Sequence, residues 1–431
     1  MSNSQAQGST YSIHRRVEWV PVPEKLIRYL VAGTVLVLSA FLLGACSTET
    51  RTARVYHVDS TAVSGGDGIS WETAFTHPQD ALDAAGDGDV VWVAQGIYGP
   101  MGSAGDEVVR LKTGVTVLGG FVGTESDPDQ RNPGSAVTVL DGQGSSYHVV
   151  IGANRAVIDG FTVTGGNAVG NIPQSSNGGT YSGGGMFNVG VALQIRNCVF
   201  ARNTAYFNGG AIFNEDSDPL IIDCVFEENS AYFGGAMDNR DSSPTVVNTA
   251  FRANVSTVSG GATANFGGSP VFINAVFSGN RAGQVGGAIL SNTSNEKFTN
   301  CSFIGNKADL HGGGIGTWEG NVNLTNCIIW DNQSSNDVGI SNKDGVVTIL
   351  YSIVQGGYTG TGNLDEDPGF EQNGHWDENG FWVEGDYHMK TASAAVDNGT
   401  DSSAPNFDAD YNPRPQALAH DIGAYERAGP Q

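Results

Sequence analysis

The chain has 431 residues, with 45 acidic against 21 basic and a formal net charge of −24. A surface of that sign repels nucleic acid phosphate and anionic lipid headgroups, so neither is expected as a partner of the folded part. Its 61 glycines, without a collagen triplet, fit a turn-rich β coil.

Residues 1–28 are polar and carry Arg15, Arg16, Lys25 and Arg28; an apolar run follows over 29–45 and ends in LLGAC at 42–46. The run is shorter than the ~20 residues of a spanning helix, and small residues precede the cysteine. This stretch resembles a bacterial lipoprotein signal. The resemblance implies that residues 1–45 are removed and that Cys46 carries diacylglycerol, which makes a membrane the partner of a lipid anchor. The long polar leader departs from the usual pattern, and a misassigned start codon or an uncleaved signal anchor are the other readings. No second apolar run is long enough to cross a membrane as a helix, and no tail of amphipathic strands suits a closing barrel.

After a linker at 46–54, residues 55–58 read as a strand. Residues 71–85 read as a helix with Trp71, Phe75, Leu82 and Ala85 on one face despite Pro78. It is expected to plug one end of the fold, where an open sheet edge would otherwise be exposed. Further strands are predicted at 90–93, 115–118, 137–140 and 157–163. A Gly, Asn and Ser-rich insertion then occupies 165–182, and a long loop on a regular scaffold is where binding tends to be built.

From Gly183 to Asn332 the chain repeats. GGGMFN (183–188) returns as GGAIFN, GGAMDN, GGATAN, GGAILS and GGGIGT at steps of 26, 25, 26, 26 and 26 residues. CVFARN (198–203) keeps the same beat as CVFEEN, TAFRAN, AVFSGN, CSFIGN and CIIWDN. A fixed period of this size means stacked supersecondary units. Within a copy, short alternating runs shift parity at Asn197, glycine pairs suit positive φ, and Pro219, Pro244 and Pro270 sit at strand starts where no ladder N–H is needed. A right-handed single-stranded parallel β-helix, all-β and one turn per copy, satisfies these constraints.

Stacking at ~4.8 Å puts like on like. Phe200, Phe226, Phe251, Phe277 and Phe303 are expected inside the coil. Asn203, Asn229, Asn254, Asn280, Asn306 and Asn332 form one amide column; Asn197, Asn248, Asn274, Asn300 and Asn326, interrupted by Asp223, form another. Breaking a buried amide stack would strand a polar group at about 1–3 kcal/mol. Cys198, Cys224, Cys301 and Cys327 share a column as two adjacent pairs. Disulfides and free buried thiols both fit, and the parallel Cβ vectors of stacked strands favour thiols.

The paired GGA[I/L] and FxxN phrases resemble the repeats of the polymorphic outer membrane protein family, and the sequence around them resembles bacterial right-handed β-helix proteins of the pectin lyase-like fold. The likeness covers about 150 residues with many motif copies. It implies an exported protein at the cell envelope, in the outer membrane or at the cell surface. A fold hosts many functions, so it does not assign an activity.

The coil is predicted over 55–355. The segment 356–431, with DEDPGF, DYHMK, DADYNPRP and the closing DIGAYE, resembles the choice-of-anchor Q segment of exported β-helix proteins; the likeness implies a terminal cap.

Three candidate sites stand out. Matching Asn214 to Asn239 stacks Asp216 on Asp241 and Glu215 on Arg240, with Asp218 and Asp238 nearby. Carboxylates one rung apart approach the spacing of a retaining glycosidase, while turn residues of this type are ordinarily solvated. The NTD, DD, GHG and RIK phrases of polygalacturonase-like enzymes are absent. Asp408, Asp410 and Asn412 alternate oxygens as a cation loop would, but Pro413 stands where an EF-hand continues; no cofactor is expected beyond a structural Ca2+ there. Finally, Tyr206 and Phe207 recur one turn later as Tyr232 and Phe233, close to Tyr181. If exposed, the stacked rings form a platform for sugar faces or a protein partner; loops that fold back and bury them fit the pattern equally well. The reading is one elongated monomeric β-helix with a non-catalytic adhesive or glycan-binding role toward an extracellular glycan or a host or neighbouring surface protein. A polysaccharide lyase or glycoside hydrolase of the same fold is the alternative.

Overall fold

The computed structural model describes residues 52–170 and 179–428. The polar leader, the expected signal, Cys46 and the middle of the 165–182 insertion lie outside these residues. The first five repeat copies contribute four short strands each, and the sixth contributes three. In the first copy they are Met186–Val189, Gln194–Arg196, Val199–Ala201 and Thr204–Ala205. Each pairs in parallel with its equivalent one copy later, so that Ile195 meets Ile221, Phe200 meets Phe226 and Asn188 meets Asn214. The product is a parallel β-helix of four sheets. The first has 11 strands, from Val55–Val58 to Val346–Leu350; the second has 10, from Gly96–Tyr98 to Ile353–Val354; the third has nine, from Val109–Arg110 to Ile340–Lys343; the short fourth has six, from Asn167–Ala168 to Lys307–Ala308.

The corner between the first and second sheets is one residue in the left-handed region: Asn197, Asp223, Asn248, Asn274, Asn300 and Asn326 have φ of 48, 55, 49, 51, 53 and 54°. Asn and Asp tolerate this conformation because their short polar side chains bond locally. At the glycine pairs two constraints act at once. Gly234 and Gly260 have φ of 59 and 69°, while a Cβ on Gly235 or Gly261 would lie 2.3 or 2.0 Å from a carbonyl oxygen one turn on.

Inside, Phe200, Phe226, Phe251, Phe277 and Phe303 stack with centroids 5.1, 4.9, 4.8 and 4.8 Å apart, all buried. The buried amide column from Asn203 to Asn332 is continuous, each Nδ2 donating to the next Oδ1 at 2.9–3.1 Å. A second buried ladder, Asn188 to Asn214 to Asn239 to Asn265 at 2.8–2.9 Å, comes from the last residue of the GGxxxN phrase. The four described cysteines are free and buried. Their thiols donate to main-chain carbonyls, and burial pushes that of Cys198 up to about 12.

Three expectations are corrected. The N-terminal helix is Pro78–Ala84 and not 71–85. Proline lacks an N–H and disfavours helical backbone before it, so it starts a helix and cannot sit inside one; His77 caps the start. Phe75 bridges Val58 instead, and Ala81 and Leu82 still close the core. The corner amides form a column in separate segments and not one unbroken stack: Asn326 donates to Asn300 at 3.3 Å, and Asn274 to Asn248 at 3.0 Å and Asn248 to Asp223 at 3.4 Å, while the left-handed turn leaves their remaining polar atoms facing outward. Lastly, only residues 356–364 cap the final turn, where Leu364 pairs with Ile353. The rest of the C-terminal segment doubles back as a strap along the second sheet and covers Val276, Ile304, Ile328 and Ile353. The outward corner residues receive it: Asn274 donates to Phe407 O, Asn300 to Asp421 O, Asn326 to Thr400 O, and Tyr411 donates to Asp223. The DADYNPRP and DIGAYE phrases are the strap's own interior, joined by a buried Arg414–Glu426 ion pair of 2.8 Å.

Candidate functional site

Two successive turns project aromatic rings where the chain leaves the fourth sheet for a glycine pair: Tyr206 and Phe207 ahead of Gly209, and Tyr232 and Phe233, at the end of the strand Ser230–Phe233, ahead of Gly234. Tyr206, Tyr232 and Phe207 are 49, 42 and 39% exposed, and Phe233 and Phe266 are half-buried behind them. Their rings form one chain of edge contacts: Tyr206 to Phe207 at 5.1 Å, Phe207 to Tyr232 at 5.9 Å, Tyr232 to Phe233 at 4.9 Å and Phe233 to Phe266 at 5.4 Å. Main-chain bonds fix the loops, since Tyr206 N donates to Ala168 O, Phe207 N to Tyr181 O and Phe233 N to Phe207 O. Tyr181 is the exception among the expected rings. It is 5% exposed, because the first loop folds over it, so it supports the platform and does not belong to its surface.

Sequence reasoning missed what lies beneath the rings. The outward row of the third sheet reads Phe187, Phe213, Asp238, Ala264, Leu290, and Asp238 is fully buried there. Its Oδ1 accepts from Arg240 Nε at 2.9 Å, and burial pushes the carboxyl up to about 7 against the pull of Arg240. The guanidinium also donates from Nη2 to Asn208 Oδ1 at 2.9 Å and lies 4.6 Å from the Phe266 ring centroid. The signal was present: only the third copy places Asp where the others carry an apolar residue or Gly, with Arg two positions on.

The register pairs Glu215 with Arg240, which sets Asp216 and Asp241 one rung apart as read. Both are exposed residues at left-handed corners, φ 48 and 46°, with main-chain N–H groups bonded to Arg240 O and Phe266 O. They are solvated turn formers. In the expected cation loop Asp408 is buried and accepts from the main-chain N–H of Asp410, Asn412 and Glu426 and from Asn412 Nδ2. Asp410 turns away to His388, whose two ring nitrogens lie 2.6 Å from Asp410 and Asp386. The Asp410 bond leads in raising that imidazole to about 9. The three predicted oxygens therefore do not converge, and among the described residues no group of three or more His, Cys, Asp or Glu is arranged to hold a metal.

Of the other tryptophans, Trp318 is exposed beside Lys343, its ring centroid 5.4 Å from Nζ, while Trp330 packs under the strap.

Fold and site together define a parallel β-helix that presents an aromatic face. Residues 274–292 match the Chlamydia polymorphic membrane protein (Chlamydia_PMP) repeat. No curated protein sequence matches the chain. Among solved structures it is similar to pectate lyase Pel9A, at 15% identity over 87% of this chain and 97% of that one with a TM-score of 0.46. It is also similar to a rhamnogalacturonan lyase, at 12% identity over 79% and 97% with a TM-score of 0.28.

Proposed function

We propose that the protein is an exported cell-surface β-helix that binds glycan, or the glycan of a host or neighbouring surface protein, through its aromatic face and without catalysis. The observation that carries this reading is the ring chain from Tyr206 to Phe266, whose Tyr206, Phe207 and Tyr232 are exposed on backbone that main-chain bonds hold in place. Flat rings offer apolar area to sugar C–H faces at little conformational cost, which suits a ligand otherwise covered in hydroxyls. The repeat shared with membrane proteins supports a place at the envelope, and lipid on Cys46 would supply the anchor.

A glycan array followed by titration calorimetry tests the binding. The Tyr206→Ala, Tyr232→Ala double variant is expected to bind about 10- to 100-fold more weakly, from roughly 0.5–1.5 kcal/mol per ring. Undiminished binding would place the ligand elsewhere. Turnover of a polysaccharide by the parent that is lost in Asp216→Asn, Asp241→Asn would replace this reading with the enzymatic one. Fatty-acid label that persists in Cys46→Ser would remove the anchor.

A further inference from the structure

Beneath the aromatic face a polar thread crosses three repeat copies. Asn208 Nδ2 donates to Ser182 Oγ at 3.1 Å in the copy before it, and Asn208 Oδ1 accepts from Arg240 Nη2 at 2.9 Å in the copy after it. Arg240 then reaches the fully buried Asp238, while its guanidinium covers Phe266, the inner end of the ring chain. Asn208 follows Phe207 directly and bridges Phe233, so the thread is tied to both exposed loops. Asp238 Oδ2 is buried with no hydrogen-bond partner. Burying a carboxylate costs several kcal/mol, and a packed apolar residue such as the Phe213 or Leu290 of neighbouring copies would avoid that cost. The pair Asp238 and Arg240 is thus a local departure from a row that packs well without it.

We propose that Arg240, held by Asp238 and Asn208, is the positioning residue of the aromatic face and makes it a site for neutral pyranose units. The inference rests on the glycan reading above. Among the described residues Arg240 Nη1 meets no hydrogen-bond partner, and the side chain is one-third exposed, so one edge of the guanidinium can donate to a sugar hydroxyl or ring oxygen. Around it stand Glu215, the register partner of Arg240, and the exposed Asp216 and Asp241. Those carboxylates accept from sugar hydroxyls and repel a uronate, as does the net charge of −24.

The test uses the full chain, with Arg240→Met and Asp238→Asn as variants that keep side-chain volume. Hydrogen exchange is read at the amides of Phe207 and Phe233, and calorimetry compares neutral hexasaccharides of glucose, xylose and mannose with oligogalacturonate. Arg240→Met is expected to speed exchange at both amides about tenfold, to weaken binding of a neutral hexasaccharide about tenfold and, because it strands the buried Asp238 carboxyl, to lower the melting temperature, a loss that Asp238→Asn added to it is expected to reverse without restoring binding. Arg240→Lys is expected to fail as a rescue, because an ammonium cannot fork to Asp238 and Asn208 while covering a ring. Tighter binding of oligogalacturonate overturns the neutral preference. Unchanged exchange in both Arg240→Met and Asp238→Asn overturns the positioning role. If the parent binds none of these sugars, the glycan reading falls together with the neutral preference, and exchange at Phe207 and Phe233 alone decides whether Arg240 orders the loops.

Discussion

Single positions in the coil are set by what their equivalents one turn away require. The amide ladder that begins at Asn188 ends at Asn265, because the next copy supplies Ser291. At that rung Glu296 stands where earlier copies have Pro219, Pro244 and Pro270, and its Oε2 accepts from Ser291 Oγ at 2.5 Å. The two exchanges answer one another: a shorter side chain leaves room, and a longer one fills it with an acceptor beside Asn265 and Ser294. Burial pushes this carboxyl up to about 7, above its ordinary 4.5. The folded state therefore holds the proton more tightly than the unfolded one. The stability it contributes is complete below pH 4.5 and is lost as pH rises toward 7. Melting temperatures from pH 5 to 8 should fall in the parent and fall less in Glu296→Gln, with the variant on the order of 2 kcal/mol more stable at pH 8. Equal slopes would mean that the carboxyl is already ionised in the coil. At the same scale, Asn254→Leu removes four hydrogen bonds to Asn229, Phe226 and Asn280 in the unbroken column. Urea denaturation should show a loss of about 3 kcal/mol, since several buried groups lose partners at once.

At the scale of elements, the strap explains irregularities that the repeats alone leave open. The second left-handed corner carries Arg202, Glu228, Ala253 and Asp331 in four copies but Gly279 and Gly305 in two. The Trp382 indole lies over those two glycines, where a Cβ would come within 2.0 Å of the ring, and Trp376 Nε1 donates to Gly305 O at 2.9 Å. Gly305→Asn keeps a residue suited to the left-handed corner and removes only the space for the indole. It should lift the strap, shift tryptophan emission to the red and open residues 365–428 to limited proteolysis, while far-ultraviolet circular dichroism of the coil stays constant. Retained protection would show that the strap is held by its carbonyl contacts to Asn274, Asn300 and Asn326 and not by Trp382. The helix illustrates a different point. Its apolar pattern extends to Trp71, but Pro78 overrides the pattern, because a missing N–H and a ring clash outweigh side-chain periodicity.

For the whole molecule, the strap is what keeps the second sheet from presenting an apolar flank. Truncation after residue 364 would uncover Val276, Ile304, Ile328 and Ile353 together. Size-exclusion chromatography should then report association or precipitation of a coil that still shows β circular dichroism, as expected for a large exposed apolar patch. A monodisperse truncated chain would mean that the flank is protected by its remaining polar residues. No helix among the described residues is long and apolar enough to cross a membrane.

The sequence by itself determined the coil. Its period, its phenylalanine and asparagine columns and its glycine pairs were all legible, because a stacked turn meets only its neighbours one period away and so writes its contacts at a fixed spacing. The recurrence of Tyr206 and Phe207 as Tyr232 and Phe233 was legible for the same reason, whereas the exposure of Tyr206, Phe207 and Tyr232 was not. Only the tertiary structure decided that Tyr181 is covered, that Asp408 and Asp410 face different partners, that Arg240 reaches back to Asn208, and that the tail lies along the flank. The last two depend on contacts outside the repeat period, such as Arg240 with Asn208, 32 positions apart, and Tyr411 with Asp223, 188 positions apart. Non-repeating contacts of that kind leave no rhythm in the chain, since each is made once and is specified by shape and charge at a single place.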